Sequence, residues 1–334
     1  MPASTQPKIL VIRGGAIGDF LLTLPAIGLL REAFPQARLE ILGYEHIVSL
    51  ATSGGYADAV RSIEYAAMAG FFNPKADLDP ELSAYFAGFQ QIVSYLYDPD
   101  GFFAGNLRRC GVKNLIEASG KVDIEGDHAA RQLARPLERL ALYLDHEIDA
   151  RLRPGPEQQA AADATLQTLL GTHEPRPLVA IHPGSGGERK NWPVERWNSL
   201  LDWLLQLPKS TQYRVLMVGG ESDGPTLHNI QATWASKSRP GAGLIVAANR
   251  PLPELAALLT RCRLFVGHDS GISHLAAAVG VPCVLLFGPT DPDIWAPLQP
   301  GVVVVRSPDE TLPGLPVETV RAAVSAALEP PPAG

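Results

Sequence analysis

Asp269, Ser270 and Gly271, with His274 three residues further on, form a polar cluster between two apolar runs, 263–266 and 281–287. The small residues that follow, from Ile272 to Ala278, predict a helix opening at the cluster. The first N–H groups of a helix have no partner within it and favour an anion. A polar turn between a buried strand and such a helix is where open α/β sheets hold nucleotides and their phosphates. Taken singly, Asp269 also fits a helix cap, and His274 a satisfied interior histidine. Together with Phe287-Gly-Pro-Thr-Asp-Pro292 after the next apolar run, they point to a shared ligand site.

Three further turns follow apolar runs in the same way. Gly14-Gly15-Ala16-Ile17-Gly18-Asp19 succeeds Lys8–Arg13. Its glycines admit a ligand to the backbone, and Asp19 fits either a helix N-cap or a catalytic base. His182-Pro-Gly-Ser185-Gly186-Gly-Glu-Arg-Lys190-Asn-Trp-Pro193 offers small-residue N–H groups and a lysine charge to a phosphate, or else is a solvated loop. It lacks the Gly-Lys-Ser/Thr of a P-loop. Gly219-Gly220-Glu221-Ser222-Asp223 places a carboxylate where ribose hydroxyls are commonly bound, with capping by Ser222 or Asp223 as the alternative.

The intervening elements read as two doubly wound α/β domains, 1–152 and 153–330, divided at the turn-rich Arg151-Leu-Arg-Pro-Gly-Pro156. Expected strands of the first are 8–13, 38–42, 91–96 and 113–117, with a helix over 20–34 that carries Pro25. Residues 66–88, aromatic and interrupted by Asn73-Pro74 and Asp79-Pro80, read as a loop-like insertion near a cleft mouth. Residues 127–144 read as one helix with Arg131, Arg135 and Arg139 on a single face, although Pro136 interrupts it. The second domain's expected strands are 178–182, 214–218, 244–247, 264–267 and 282–287, with helices from 194, 223, 252 and 272. A final helix over 317–328 precedes a Pro-rich end expected to be disordered.

The 334 residues suffice for two domains, and 46% hydrophobic with 19% charged residues is ordinary for a globular enzyme. The net charge of −7 disfavours a nucleic-acid binder. Most of it lies in residues 1–150, with 13 Lys and Arg against 19 Asp and Glu, which argues against a broad grip on anionic lipid. No apolar run has transmembrane length, and Met1–Pro7 lacks the pattern of a secretory signal. Cys110, Cys262 and Cys283 have no metal-ligand spacing and read as buried thiols of a reducing compartment.

The four turns, in this order, resemble glycosyltransferase family 9, the ADP-heptose:lipopolysaccharide heptosyltransferase group. The segments that carry the resemblance are Ile9-Leu-Val-Ile-Arg with Ile17-Gly-Asp-Phe-Leu-Leu-Thr-Leu-Pro25, His182-Pro-Gly-Ser with Lys190-Asn-Trp-Pro193, Gly219-Gly-Glu221, and Asp269-Ser-Gly with His274-Leu-Ala-Ala-Ala and Phe287-Gly-Pro-Thr-Asp-Pro. The resemblance spans about residues 8–328. It implies a GT-B architecture of two Rossmann-like domains with the active site between them, acceptor held by the first and nucleotide-sugar by the second. It also implies an inverting transfer without metal or other cofactor, from an ADP-sugar to a saccharide or glycolipid of the bacterial envelope. The expected location is the cytoplasm, with peripheral contact at the inner membrane as an option, and the oligomeric state is left open. Carried over to this sequence, Asp19 matches the general base, Lys190 the diphosphate clamp, and Glu221 with Gly219 the ribose contact. Ser185, Gly186, Ser270, Gly271 and Ile272 match a phosphate cradle, and Asp269 with His274 the donor-sugar side. Gly14, Gly15, Arg131 and Arg135 fall to the acceptor side. The first turn departs from the family in reading Arg13-Gly14-Gly15, and the acidic first half lacks the cationic surface expected toward a phosphorylated lipid.

Two other readings fit the same residues. One is a nucleotide-sugar epimerase or hydrolase on the same fold. The other is a non-catalytic nucleotide-sugar binder, against which the presence of Asp19 argues. A nicotinamide dehydrogenase is disfavoured, since neither half carries the dinucleotide fingerprint.

Overall fold

The computed structural model describes residues 6–145, 150–171, 176–207, 213–236 and 243–329. Two compact units make up the chain, Met1–Arg153 and Pro154–Gly334. The Pro-rich end, 330–334, lies outside the described residues.

The N-terminal unit runs β1 (Lys8–Arg13), α1 (Ile17–Ala33), β2 (Arg38–Gly43), α2 (Glu45–Ser53), β3 (Ala59–Ser62), α3 (Pro80–Ala87), β4 (Gln91–Ser94), α4 (Phe102–Arg109), β5 (Leu115–Glu117) and α5 (Ala129–Ala134). Its sheet is parallel, in the order β3-β2-β1-β4-β5. β1 is central and continuously apolar because both of its faces are covered; Leu10, Val11 and Ile12 are fully buried. The strand order reverses between β1 and β4, so the Gly14–Asp19 turn leaves the sheet at its switch point.

Two sequence expectations fail in this unit. Residues 66–88 are not loop-like. A 3-10 helix, Ala66–Phe72, and α3 carry Met68, Phe71 and Phe86 into the core with Phe103. The Phe71 and Phe86 rings meet edge to face at 5.0 Å. Asp79-Pro80, which reads as a loop, opens a helix: Asp79 accepts from Leu82 N at 2.8 Å, and proline suits the first helical position. Likewise, 127–144 is not one helix. α5 stops at Ala134, and Pro136 turns the chain into a 3-10 helix, Arg135–Leu140, that ends at Ala141 with φ +57°. The three arginines therefore do not share a helical face.

The C-terminal unit runs α6 (Pro156–Leu170), β6 (Leu178–His182), α7 (Val194–Gln206), β7 (Arg214–Gly219), α8 (Gly224–Ser236), β8 (Leu244–Ala248), α9 (Leu252–Leu259), β9 (Cys262–His268), α10 (Gly271–Ala278), β10 (Cys283–Phe287), α11 (Pro292–Trp295), β11 (Val302–Arg306) and α12 (Val317–Leu328). Its parallel sheet has the order β11-β10-β9-β6-β7-β8. β6 and β9 are neighbours, with His182 opposite Gly267, and the order reverses between them. The turns after β6 and β9 thus leave this sheet at its switch point. α6 and β11 have no counterpart among the sequence expectations.

The cysteines are free. Cys262 and Cys283 are buried, and desolvation raises both thiols, Cys262 to about 12. Cys110 is only half-buried, against expectation, with Sγ 3.2 Å from Ser83 Oγ.

Candidate active site

At the end of β1, Gly15 adopts φ +99°, and a Cβ there would lie 2.8 Å from Asp19 Oδ2. Only glycine allows the carboxylate to fold back over the turn. α1 begins at Ile17, so Asp19 is not its N-cap but its third residue. Oδ2 accepts from Ala16 N at 2.9 Å, and Oδ1 lies 3.7 Å from the Arg13 guanidinium. The Asp19 side chain is 38% exposed and Arg13 only 5%. Burial lowers the Arg13 pKa, while Asp19 opposes that shift. Arg13 Nε donates to Thr23 Oγ1 at 3.0 Å, and Thr23 Oγ1 to Asp19 O at 2.7 Å, which fixes the guanidinium beneath the carboxylate. The result is a held but solvent-reachable carboxylate, a geometry suited to accepting a proton. No motif in the sequence singles out Arg13, the remaining residue of this group, for such a role.

Arg131 donates to Leu144 O at 2.8 Å, and Arg135 lies 3.7 Å from Asp127. Both thus serve local ties. A cavity of about 220 Å³ opens beyond β4 and β5, lined by Leu96, Tyr97, Glu117 and Ser119 among others. A Cβ on Gly14 would lie 3.3 Å from Leu96, so the cavity adjoins the Asp19 turn.

In the C-terminal unit, Lys190 Nζ donates to Asp269 Oδ2 at 2.6 Å, with the lysine side chain 36% exposed and the aspartate 10%. Trp192, fully buried two residues after Lys190, anchors the lysine loop. Its indole donates to Leu315 O at 3.0 Å, and its ring meets Trp197 edge to face at 5.3 Å. Ser270, not Asp269, is the N-cap of α10, accepting from Ser273 N. The opening N–H groups of α10, from Gly271 and Ile272, therefore sit beside the Lys190–Asp269 pair. Together they offer a cation and a helix N-terminus at one sheet switch point.

Behind this surface lies a buried histidine network. His182 Nε2 is 3.2 Å from Asp223 Oδ2, and its Nδ1 is 3.2 Å from Ser270 Oγ. Asp223 also accepts from Gly220 N at 2.8 Å. Burial alone would raise the Asp223 pKa, but the bonds and charge from His182 and the Gly220 N–H bring it below its ordinary value. A Cβ on Gly184 would lie 1.8 Å from Asp223 Oδ1, so the Pro183-Gly184 step makes room for that carboxylate. His268 is fully buried; its Nε2 accepts from Trp192 N at 2.9 Å, and its Nδ1 is 3.1 Å from Gly184 O. That pattern assigns a neutral ring protonated at Nδ1. Desolvation lowers its pKa to about 3.

Glu221, the expected ribose contact, is exposed, whereas Asp223 two residues on is the buried carboxylate of that turn. Gly219 is buried at the end of β7. His274 is buried in the first turns of α10. Ser185 Oγ donates to Gly187 O at 2.8 Å, and Gly186 faces open space. Thr290 Oγ1, in the Gly-Pro-Thr-Asp turn, is buried without a partner among the described residues.

Asp-x-Asp, a common metal-binding sequence in sugar transfer, occurs at Asp77–Asp79, Asp98–Asp100 and Asp291–Asp293. The structure gives these local duties. Asp79 and Asp291 cap helices, and Asp98 accepts from Phe103 N and Ala104 N. Among the described residues, no three His, Cys, Asp or Glu side chains converge to hold a metal. Nor is any helix among them long and apolar enough to cross a membrane.

The family model described as glycosyltransferase family 9 (heptosyltransferase) matches residues 119–320. The chain belongs to this family. It is thereby a glycosyltransferase. It is 25% identical over 304 residues to lipopolysaccharide heptosyltransferase 3 of Escherichia coli K12, a match covering 86% of this chain and 84% of that protein. Among solved structures, a family 9 glycosyltransferase from Veillonella parvula superposes with a TM-score of 0.77 at 20% identity, over 96% of this chain and 97% of that one. ADP-heptose lipopolysaccharide heptosyltransferase II of E. coli gives 0.75 at 18% identity, over 96% and 98%. The family 9 chain thus has the GT-B type of fold, two Rossmann-like units in one chain.

Proposed function

We propose that this glycosyltransferase moves a heptose-like sugar from an ADP-sugar to a saccharide acceptor of the lipopolysaccharide-core type, with inversion at the sugar's C1. The observation that carries the donor half is the Lys190–Asp269 pair beside the N-terminus of α10, at the switch point of the second sheet. In the reaction an acceptor hydroxyl oxygen attacks C1 from the face opposite the diphosphate. Its proton passes to Asp19, the C1–oxygen bond to phosphate breaks, and that electron pair leaves with ADP. Asp19 raises the nucleophilicity of a group that is otherwise protonated at neutral pH. Lys190 and the α10 N–H groups meet the charge growing on the leaving phosphate. Glu221, Gly219, Ser185 and Gly186 remain on the nucleotide side of this proposal, Asp269 and His274 on the sugar side. Gly14 and Gly15, with the adjoining cavity, form the acceptor side. Arg131 and Arg135, whose partners are Leu144 O and Asp127, also remain on the acceptor side of this proposal.

A thermal-shift series with ADP-, UDP-, GDP- and CDP-sugars tests the donor. A ligand at about 100 times its Kd stabilises the native state by about 2.7 kcal/mol. The ADP-sugar is expected to raise Tm by several degrees and the others by little. A shift with another nucleotide and none with ADP-sugars would remove the donor assignment. Donor consumption that proceeds unchanged without any acceptor would instead favour a hydrolase or epimerase.

A further inference from the structure

His182 and Asp223 are buried, yet His182 reaches the site surface through Ser270. Nε2 faces the Asp223 carboxylate, so Nε2 carries a proton and donates it. A neutral ring then presents Nδ1 as an acceptor, satisfied among the described residues by the Ser270 hydroxyl hydrogen. That hydrogen is contested. Ser270 Oγ also lies 3.1 Å from Ser273 Oγ, whose own hydrogen goes to His268 O. Ser270 is the N-cap of α10, so a phosphate bound at that terminus brings a third acceptor to the same hydroxyl. Once the phosphate takes the Ser270 hydrogen, the Ser270 oxygen faces Nδ1 as an acceptor. The contact is then satisfied only if Nδ1 acquires a proton.

Resting on the donor reading above, we propose that binding of the donor diphosphate is coupled to proton uptake by His182, relayed through Ser270 and balanced by Asp223. One proton moves from solvent to Nδ1 as diphosphate binds and returns to solvent as ADP leaves. His182 is a positioning residue in this scheme. It turns the Ser270 hydroxyl toward phosphate and adds a positive charge behind the leaving group, while Asp223 keeps the resulting imidazolium from being a buried, unpaired charge. The other titratable groups around it are His268 at the end of β9, the Asp269–Lys190 pair, and His274 further along α10. His268 is excluded as the proton acceptor because Trp192 N already occupies its Nε2 lone pair.

The probe is ADP-glucose, whose diphosphate diester does not itself titrate near neutral pH. Calorimetric titrations of the full chain at mildly alkaline pH, in buffers of different ionisation enthalpy, count protons. About one proton is expected per site, and affinity should weaken with rising pH toward tenfold per unit. In His182→Gln and Asp223→Asn, uptake should fall toward zero and the pH profile flatten. Ring nitrogen NMR of the wild-type complex should show both His182 nitrogens protonated, a readout that needs no variant to fold. Binding without proton uptake, or an unprotonated Nδ1 in the complex, would overturn the proposal while leaving the donor reading intact. Uptake that survives His182→Gln would place the proton on another group and equally overturn it. Absence of ADP-glucose binding, with binding of another nucleotide-sugar, would overturn the donor reading and this proposal together.

Discussion

Asp19→Asn is expected to lower sugar transfer by roughly 10²–10⁴-fold while leaving the affinity for ADP nearly unchanged. The substitution is close to isosteric. Its amide oxygen can still accept from Ala16 N, as Oδ2 does at 2.9 Å, so the turn after β1 keeps its shape. What disappears is a lone pair basic enough to take a proton from an attacking hydroxyl. Arg13 loses a charged neighbour but keeps its bonds to Thr23 Oγ1 and Asp19 O, so the loss of rate is not a loss of fold. Asp19 and Lys190 lie in different compact units, which is why donor affinity is expected to survive. ADP release from ADP-heptose, followed with a truncated lipopolysaccharide preparation as acceptor, reads the rate; calorimetry reads the affinity. Turnover near wild type would remove Asp19 as the base.

The second large effect is expected at Lys190. Lys190→Ala should weaken ADP binding by roughly 10–100-fold, the scale of a lost charge-assisted hydrogen bond. It removes the ammonium and also strands Asp269, whose carboxylate is 10% exposed and takes its bond from Lys190 at 2.6 Å. An unpaired carboxylate beside a diphosphate repels it. Adding Asp269→Asn to Lys190→Ala should therefore recover part of the affinity, which a simple loss of lysine contact would not produce. Transfer should fall further than binding, because the charge on the departing phosphate grows as the bond to C1 breaks. A dissociation constant unchanged by Lys190→Ala would count against the clamp.

Much of this scaffold is legible in the sequence because parallel strands buried on both faces must be continuously apolar. Lys8–Arg13, Leu178–His182, Arg214–Gly219 and Cys283–Phe287 show that pattern directly. The turns after them are also legible, as small and polar residues where an apolar run stops. Proline caused the main misreadings. Pro80 and Pro156 each look like loop residues, yet each stands at a helix start, where its missing N–H costs nothing. Reading 66–88 as a loop then hid Phe71 and Phe86, which are core residues. α6 escaped notice because only Ala162 and Leu166 of its side chains are buried, too few to mark a face. β11 carries the continuous apolar run of a strand, Val302–Val305, yet sits at the sheet edge with Val303 and Val304 exposed.

The site divides along the same line. Asp19, Lys190, Asp269 and Ser270 stand out because each follows the end of an apolar run. The union of His182, Asp223 and Ser270 is invisible in sequence, since it depends on β9, β6 and β7 being consecutive neighbours. Glu221 rather than Asp223 drew attention in its turn, because nothing in Gly-Gly-Glu-Ser-Asp tells which carboxylate turns inward. A histidine closing each of two adjacent buried strands, His182 and His268, was the available signal. A polar ring at that depth needs partners, and the end of a strand is where a site would supply them.

The placement of the diphosphate is the claim on which the rest stands, and a crystal structure of the full chain with ADP tests it most directly. The account predicts phosphate oxygens at about 3 Å from Lys190 Nζ and from the opening N–H groups of α10, with the Ser270 hydroxyl turned toward them. Phosphates bound at the turn after β1, or anywhere away from the ends of β6 and β9, would contradict it.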